Sequence, residues 1–277
     1  MVYLNVKSFL RTNLKSKIMI SAFTNKKYIT MNAAMMKFFF SLLFLLSLAG
    51  CKKTETYNIS SNYLPTVGKN YTASEIIGFK ELAFNVTTGE AGFIKKWKFK
   101  EVLIYLVDTS YIYLNNEMDS IIKDINLLTD TNLVYKKTLE KSSANLRVYL
   151  TDKNTFSTGD PEAYASYQSF PGLGGFAYTQ LGTNKQIVRA SVFLDMARPD
   201  NTSMLYNRYL LRHELTHTLG FLGHVTLPEF SGSCLSTSYN FSTFFSAFDK
   251  KMIALLYHPA IKAGMNESTL MPVIINL

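Results

Sequence analysis

The sequence predicts an α+β domain in which a mixed sheet packs on a long core helix and on a second helix that carries a metal site. Three observations lead there. Residues 213–224 read His-Glu-Leu-Thr-His-Thr-Leu-Gly-Phe-Leu-Gly-His, and histidines four apart stack on one face of a helix. Between Leu114 and Leu128, Met118, Ile121, Ile122, Ile125 and Leu128 recur at helical spacing, which predicts a helix with one face in the core. Runs of strand length at 102–107, 132–137, 146–151, 175–181 and 187–194 flank that helix on both sides, an order that suits a mixed sheet backed by helices.

The chain begins with a targeting segment. Residues 1–30 hold several lysines and no acidic residue, and are set apart from the fold, with Met31, Met35 or Met36 as the start of a shorter precursor. Lys37 is followed by an apolar run from Phe38 to Leu48, too short to span a bilayer comfortably, and then by small residues where cleavage is expected. Leu48-Ala49-Gly50-Cys51 resembles the lipobox of bacterial lipoproteins. That resemblance implies a lipidated Cys51 as the mature N-terminus, and anchorage to a membrane of the bacterial cell envelope, at the outer membrane or cell surface. Residues 51–69, with Ser60, Ser61, Asn62 and Pro65, form a polar tether. Residues 70–277 form one domain.

The high formal charge of +9 belongs largely to this leader. Seven of the 29 basic residues and none of the 20 acidic ones lie in residues 1–51, leaving 22 against 20. The domain is therefore nearly neutral, and no nucleic-acid partner is expected. With Cys51 lipidated, Cys234 has no intramolecular partner, so there is no disulfide framework and Cys234 reads as a small buried residue.

Within the domain, Thr72 or Ser74 caps a short helix through Phe84. Lys95 to Lys100 interleaves lysines with Trp97 and Phe99, which reads as a strand with aromatics inward and lysines outward. Residues 157–169 hold a short helix, and the glycines of 171–175 form a turn that is no phosphate loop, because no Gly-Lys-Ser/Thr follows. The strand at 187–194 places Val188, Ala190, Val192 and Leu194 on one face. Lying directly before the metal helix, it is expected to border the cleft and pair with an extended peptide. Asn201, Thr202 and Ser203 offer N-cap chemistry for a helix over 203–219, in which Leu211, Leu215 and Leu219 face the core. Residues 228–240 pass beneath or beside the metal, and a last helix over 246–257 buries Phe248, Met252, Leu255 and Leu256 before Pro259. His258 reads as structural.

The motif defines its own chemistry. His213 and His217 offer two imidazole nitrogens to one metal ion, Zn2+ by the usual reading of this spacing. Glu214, beside the first ligand, is placed to take a proton from water at the metal. Gly220 can adopt a conformation with positive φ that ends the helix, so that the chain turns back and presents His224 as third ligand.

His213-Glu214-x-x-His217-x-x-Gly220 with a third histidine nearby resembles the metzincin clan of zinc metalloproteases. The stretch from Phe248 to Pro259, continuing to Gly264-Met265, is similar to the closing helix of an uncharacterised family of bacterial secreted putative zincins. The resemblance covers about residues 187–265. It implies hydrolysis of peptide or protein substrates in a cleft between a larger upper part and a small C-terminal helical subdomain. His213 and His217 match its ligands, Glu214 its general base and Gly220 its turn. Two positions depart from the pattern. The clan's third ligand stands where this chain has Gly223, with His224 one residue late, and the methionine beneath the metal is missing, leaving Cys234 or Leu235 as the apolar floor. Asp249, and less readily Glu229, is the rival third ligand. The rival function is a non-catalytic envelope lipoprotein that uses the same fold as a binding module.

Overall fold

The computed structural model describes residues 70–84, 92–170, 172–199, 203–238 and 241–277. The targeting segment, Cys51, the tether, Asn201 and Thr202 lie outside the described residues. Helix α1 (Ala73–Phe84) starts with a reciprocal cap: the Glu75 N–H donates to the Thr72 hydroxyl at 3.2 Å, and the Thr72 N–H to the Glu75 carboxylate at 2.7 Å. There follow β1 (Lys96–Trp97), β2 (Glu101–Leu106), the long helix α2 (Ile112–Thr129), β3 (Val134–Lys137) and β4 (Leu146–Thr151). Two short helices, α3 (Lys153–Gly159) and α4 (Pro161–Tyr167), lead to β5 (Gly175–Leu181) and β6 (Gln186–Asp195). The motif helix is α5 (Met204–His217), and α6 (Ala247–Leu256) and α7 (Glu267–Asn276) end the chain. Among the described residues no helix is long and apolar enough to cross a membrane.

The sheet is mixed, in the order β1-β6-β4-β2-β3 with every neighbour parallel, and β5 runs antiparallel along β6. Parallel strands are covered on both faces, and alternation decides which residue serves which side. Val148, Leu150, Val192 and Leu194 enter the main core with α1, α2, α5, α6 and α7. Tyr149 and Phe193 point the other way, into a smaller cluster with Phe156 of α3 and Tyr167 of α4, where Phe156 stacks on Phe193 at 4.3 Å. The helix expected over 157–169 is thus two helices, each started by an aspartate: Asp152 accepts from Asn154 and Thr155, Asp160 from Ala163.

Three expectations are corrected. Lys95 to Lys100 is not one strand with outward lysines: Lys95 is fully buried and Phe99 is exposed. The reason is that β1 pairs with β6 and stops after two residues, while β2 starts a separate alignment between β3 and β4. The strand before the motif helix does not border a cleft either. β6 pairs with β4, β5 and β1, whereas among the described residues β1, β3 and β5 each have a single partner strand. The C-terminal helices are not a separate subdomain, because Met252, Ile253, Leu255, Leu256, Leu270 and Ile274 belong to the main core.

Helix α5 is bound to α2 by charge as well as by apolar contact. Leu211, Leu215 and Leu219 are fully buried as the spacing predicts, each stabilising the fold by about 1.5–3 kcal/mol. Arg212, at 0% exposure, lies between them and donates to Glu117 at 3.0 Å and Asp124 at 2.8 Å, with Phe245 under its guanidinium at 4.6 Å. Arg208 donates to the same Glu117 at 2.7 Å. Arg212→Ala would strip Glu117 of one of its two arginine partners and remove a fully buried, hydrogen-bonded cation, so it should cost about 2–3 kcal/mol. Urea unfolding of the purified domain measures it; a loss below about 1 kcal/mol would contradict this account of how α5 is held.

Candidate metal centre

The motif helix presents its histidines as the spacing requires. Ser203 caps α5 by accepting from the Tyr206 N–H at 3.3 Å, and the last turn is closed by two tyrosines. Tyr257 donates to the Leu219 carbonyl at 2.9 Å, and the Tyr135 hydroxyl lies 3.1 Å from the Thr218 hydroxyl. Gly220 follows with φ +114°. A Cβ there would lie 2.2 Å from the Lys95 carbonyl oxygen, so conformation and space both demand glycine. Gly223 is no free pivot: its N–H donates to the Leu82 carbonyl of α1 at 3.0 Å. Beyond it, Val225 pairs with the returning loop, donating to the Leu235 carbonyl at 2.9 Å and accepting from Thr237 at 3.0 Å. His224 is carried between these two attachments.

The result is a convergence of three ring nitrogens. His213 Nε2 lies 3.1 Å from His217 Nε2 and 3.2 Å from His224 Nε2, and the three side chains together could hold a metal ion. His213 Nδ1 lies 2.7 Å from the Cys234 carbonyl and His217 Nδ1 2.5 Å from the Phe221 carbonyl. A carbonyl only accepts, so in each neutral ring Nδ1 carries the hydrogen and Nε2 is a bare lone pair. Two lone pairs facing each other at 3.1 Å repel unless a cation lies between them.

A proton does not serve as that cation near neutrality. Burial holds the His213 pKa down to about 3, with the neighbouring His224 ring adding to the effect. Burial and the other two rings hold His217 well below its ordinary value, and burial lowers His224. A tetrahedral ion with imidazole nitrogens at 2.0–2.1 Å sets those nitrogens roughly 3.3 Å apart. The observed spacing fits.

Glu214, next to His213 in sequence, is buried, and burial pushes its carboxyl up to about 8. It accepts no hydrogen bond among the described residues. Its carboxylate lies against the start of β5, where a Cβ on Gly175 would come within 2.8 Å of Oε1 and 2.7 Å of Leu210. The glycine at 175 therefore leaves room for the carboxylate beside β5, a strand with a single partner.

The rival ligands are elsewhere. Asp249 forms a capping box at the start of α6, accepting from the Ser246 N–H and hydroxyl at 2.8 Å each, and it also accepts from the Cys234 N–H at 3.1 Å and from the Ser233 hydroxyl. Ser246 three residues before an acidic residue is a sequence signature of such a box, and it was the signal that could have excluded Asp249. Glu229 is exposed in a 3-10 turn. Cys234 and Leu235 act through their backbone: the Cys234 thiol lies 3.6 Å from the Thr216 hydroxyl while its carbonyl meets His213. Sequence reasoning missed these carbonyls, together with Ser233 and Tyr209, whose hydroxyl lies 3.4 Å from His213 Nδ1. His258 is structural, its Nδ1 accepting from the Ala260 N–H at 3.2 Å.

Elemental analysis of the fragment beginning after Cys51 should give one equivalent of a divalent transition metal, and His224→Ala should lose most of it. One equivalent in both proteins would remove His224 from the site.

No curated protein matches the chain. A family model for proteins of unknown function, DUF2927, matches residues 74–276 and so takes in the sheet, both long helices and all three histidines. The chain belongs to the DUF2927 family.

Proposed function

We propose that the protein is a zinc-dependent metallopeptidase of metzincin-like plan. The observation that carries this reading is the set of three Nε2 atoms, two of them stripped of hydrogen by backbone carbonyls, with a buried carboxylate at the next residue. Imidazole donors in a three-ligand set suit zinc with a position left open. Bound there, zinc supplies a Lewis acid that lowers the pKa of water towards neutrality and polarises a carbonyl oxygen.

The chain's own residues do the rest. Glu214, which the positive charge of a bound ion beside it would keep ionised, would take the proton of the attacking water, and its burial favours the protonated carboxyl that results. It then returns the proton to the leaving amine as the peptide bond breaks. The unpaired edge of β5 offers backbone N–H and C=O groups to an extended peptide, whose scissile bond would then lie beside Glu214 at Gly175. Glu214→Gln should keep its metal and lower kcat/KM by at least about a hundredfold in a peptide-library assay. Cleavage at the parent rate would refute the mechanism. In the same inactive variant, saturating peptide should slow hydrogen exchange at the β5 amides, and unchanged exchange would move the substrate off that edge.

We further propose that the domain works outside the cytoplasm on a lipid anchor at Cys51, which rests on the Leu48-Ala49-Gly50-Cys51 motif. In a bacterial host fed an alkyne fatty acid, the full chain should label and sediment with membranes, and Cys51→Ser should do neither. Labelling that survives the substitution would end this reading.

A further inference from the structure

Asp249 does not touch the candidate metal site, yet a continuous line of polarised groups joins its carboxylate to His213. The Ser233 hydroxyl donates to Asp249 Oδ1. The same hydroxyl oxygen accepts from the Leu235 N–H at 3.1 Å. That N–H belongs to the peptide whose carbonyl is Cys234 O, and Cys234 O accepts from His213 Nδ1 at 2.7 Å. Every donor in this line points towards the carboxylate. Asp249 and Ser233 are 3% and 1% exposed, so water screens little of the interaction.

The geometry points to a carboxylate–serine–peptide relay that raises the electron-donating power of His213 Nε2, and so makes Asp249 and Ser233 positioning residues for the metal. This inference rests on the metal reading proposed above. Negative charge at Asp249 makes the Ser233 oxygen a better acceptor. The Leu235 N–H is polarised in turn, its peptide places more charge on the Cys234 carbonyl, and the His213 N–H is drawn more strongly towards that oxygen. A metal-binding histidine commonly gives its second N–H to a carboxylate or a carbonyl, and loss of such a partner weakens the metal about 10- to 100-fold. Here the carboxylate acts at a distance of one hydroxyl and one peptide unit. Asp249 also starts α6, where it accepts from Ser246.

Three variants separate the relay from a merely structural role. Ser233→Ala breaks the line while leaving the Asp249 contacts to Cys234 and Ser246. Asp249→Asn keeps a carbonyl oxygen for the Cys234 N–H but removes the charge. Ser246→Ala weakens the helix start and leaves the line whole. Zinc affinity is read by competition with a chromophoric chelator, the His213 Nδ1 proton by NMR, and stability by thermal unfolding of the metal-free protein. Ser233→Ala and Asp249→Asn should each bind zinc about tenfold more weakly and move the His213 proton upfield. Ser246→Ala should lower the melting temperature with zinc affinity and proton shift unchanged. Parent-like affinity and an unmoved proton in folded Ser233→Ala would overturn the relay. Should that variant not fold, Asp249→Asn decides by the same two readouts. Failure of the parent to bind zinc would sink the metal reading alone, because the His213 proton can be followed without metal and tests the relay on its own.

Discussion

Everything at this site follows from a repulsion. The buried His217 and the half-buried His213 are held with bare nitrogens 3.1 Å apart, and His224 approaches His213 at 3.2 Å. Burial keeps protons off all three. Such an arrangement persists only if the surrounding structure holds each ring against its neighbours. The fold can be understood as the apparatus that does so.

Each ring has its own restraint, and the restraints come from distant parts of the chain. His217 is held by the carbonyl of Phe221 just past the helix, which is possible because Gly220 turns the chain where the Lys95 carbonyl leaves no room for a side chain. His213 is held by the carbonyl of Cys234, in a loop secured by Asp249 at the head of α6. His224 is held between the tie from Gly223 to α1 and the short pairing of Val225 with the returning loop. Beneath them, α5 itself is fastened to α2 by Arg212 and its two carboxylates. Helices α1, α2 and α6, which carry none of the three histidines, together determine where those histidines lie.

Placement of the sheet has a functional side. β5 is the strand added antiparallel to an otherwise parallel sheet, and it begins at Gly175 against the Glu214 carboxylate. The unpaired edge and the buried carboxylate are therefore neighbours. Had β6 been at the edge, as its position before α5 suggested, the edge would begin elsewhere, since β6 is enclosed by β4 and β5.

What the sequence by itself determined are the features set by short-range periodicity. Four-residue spacing placed His213 and His217 on one face and Leu211, Leu215 and Leu219 on the buried one. The strands at 146–151 and 175–181 were legible to the residue, because their ends carry turn-forming or polar residues. The glycine exit at 220 was legible for the same local reason. Only the tertiary structure decided which acidic residue stays away from the three histidines, that β5 rather than β6 keeps an open edge, and why Lys95 is buried. Those outcomes depend on contacts between residues far apart in the chain: Asp249 with Ser233, Gly175 with Glu214, the Lys95 carbonyl with Gly220. Local periodicity records which face of an element is apolar, but not which partner comes to cover it, and hydrogen bonds made by backbone carbonyls leave no mark on residue identity at all.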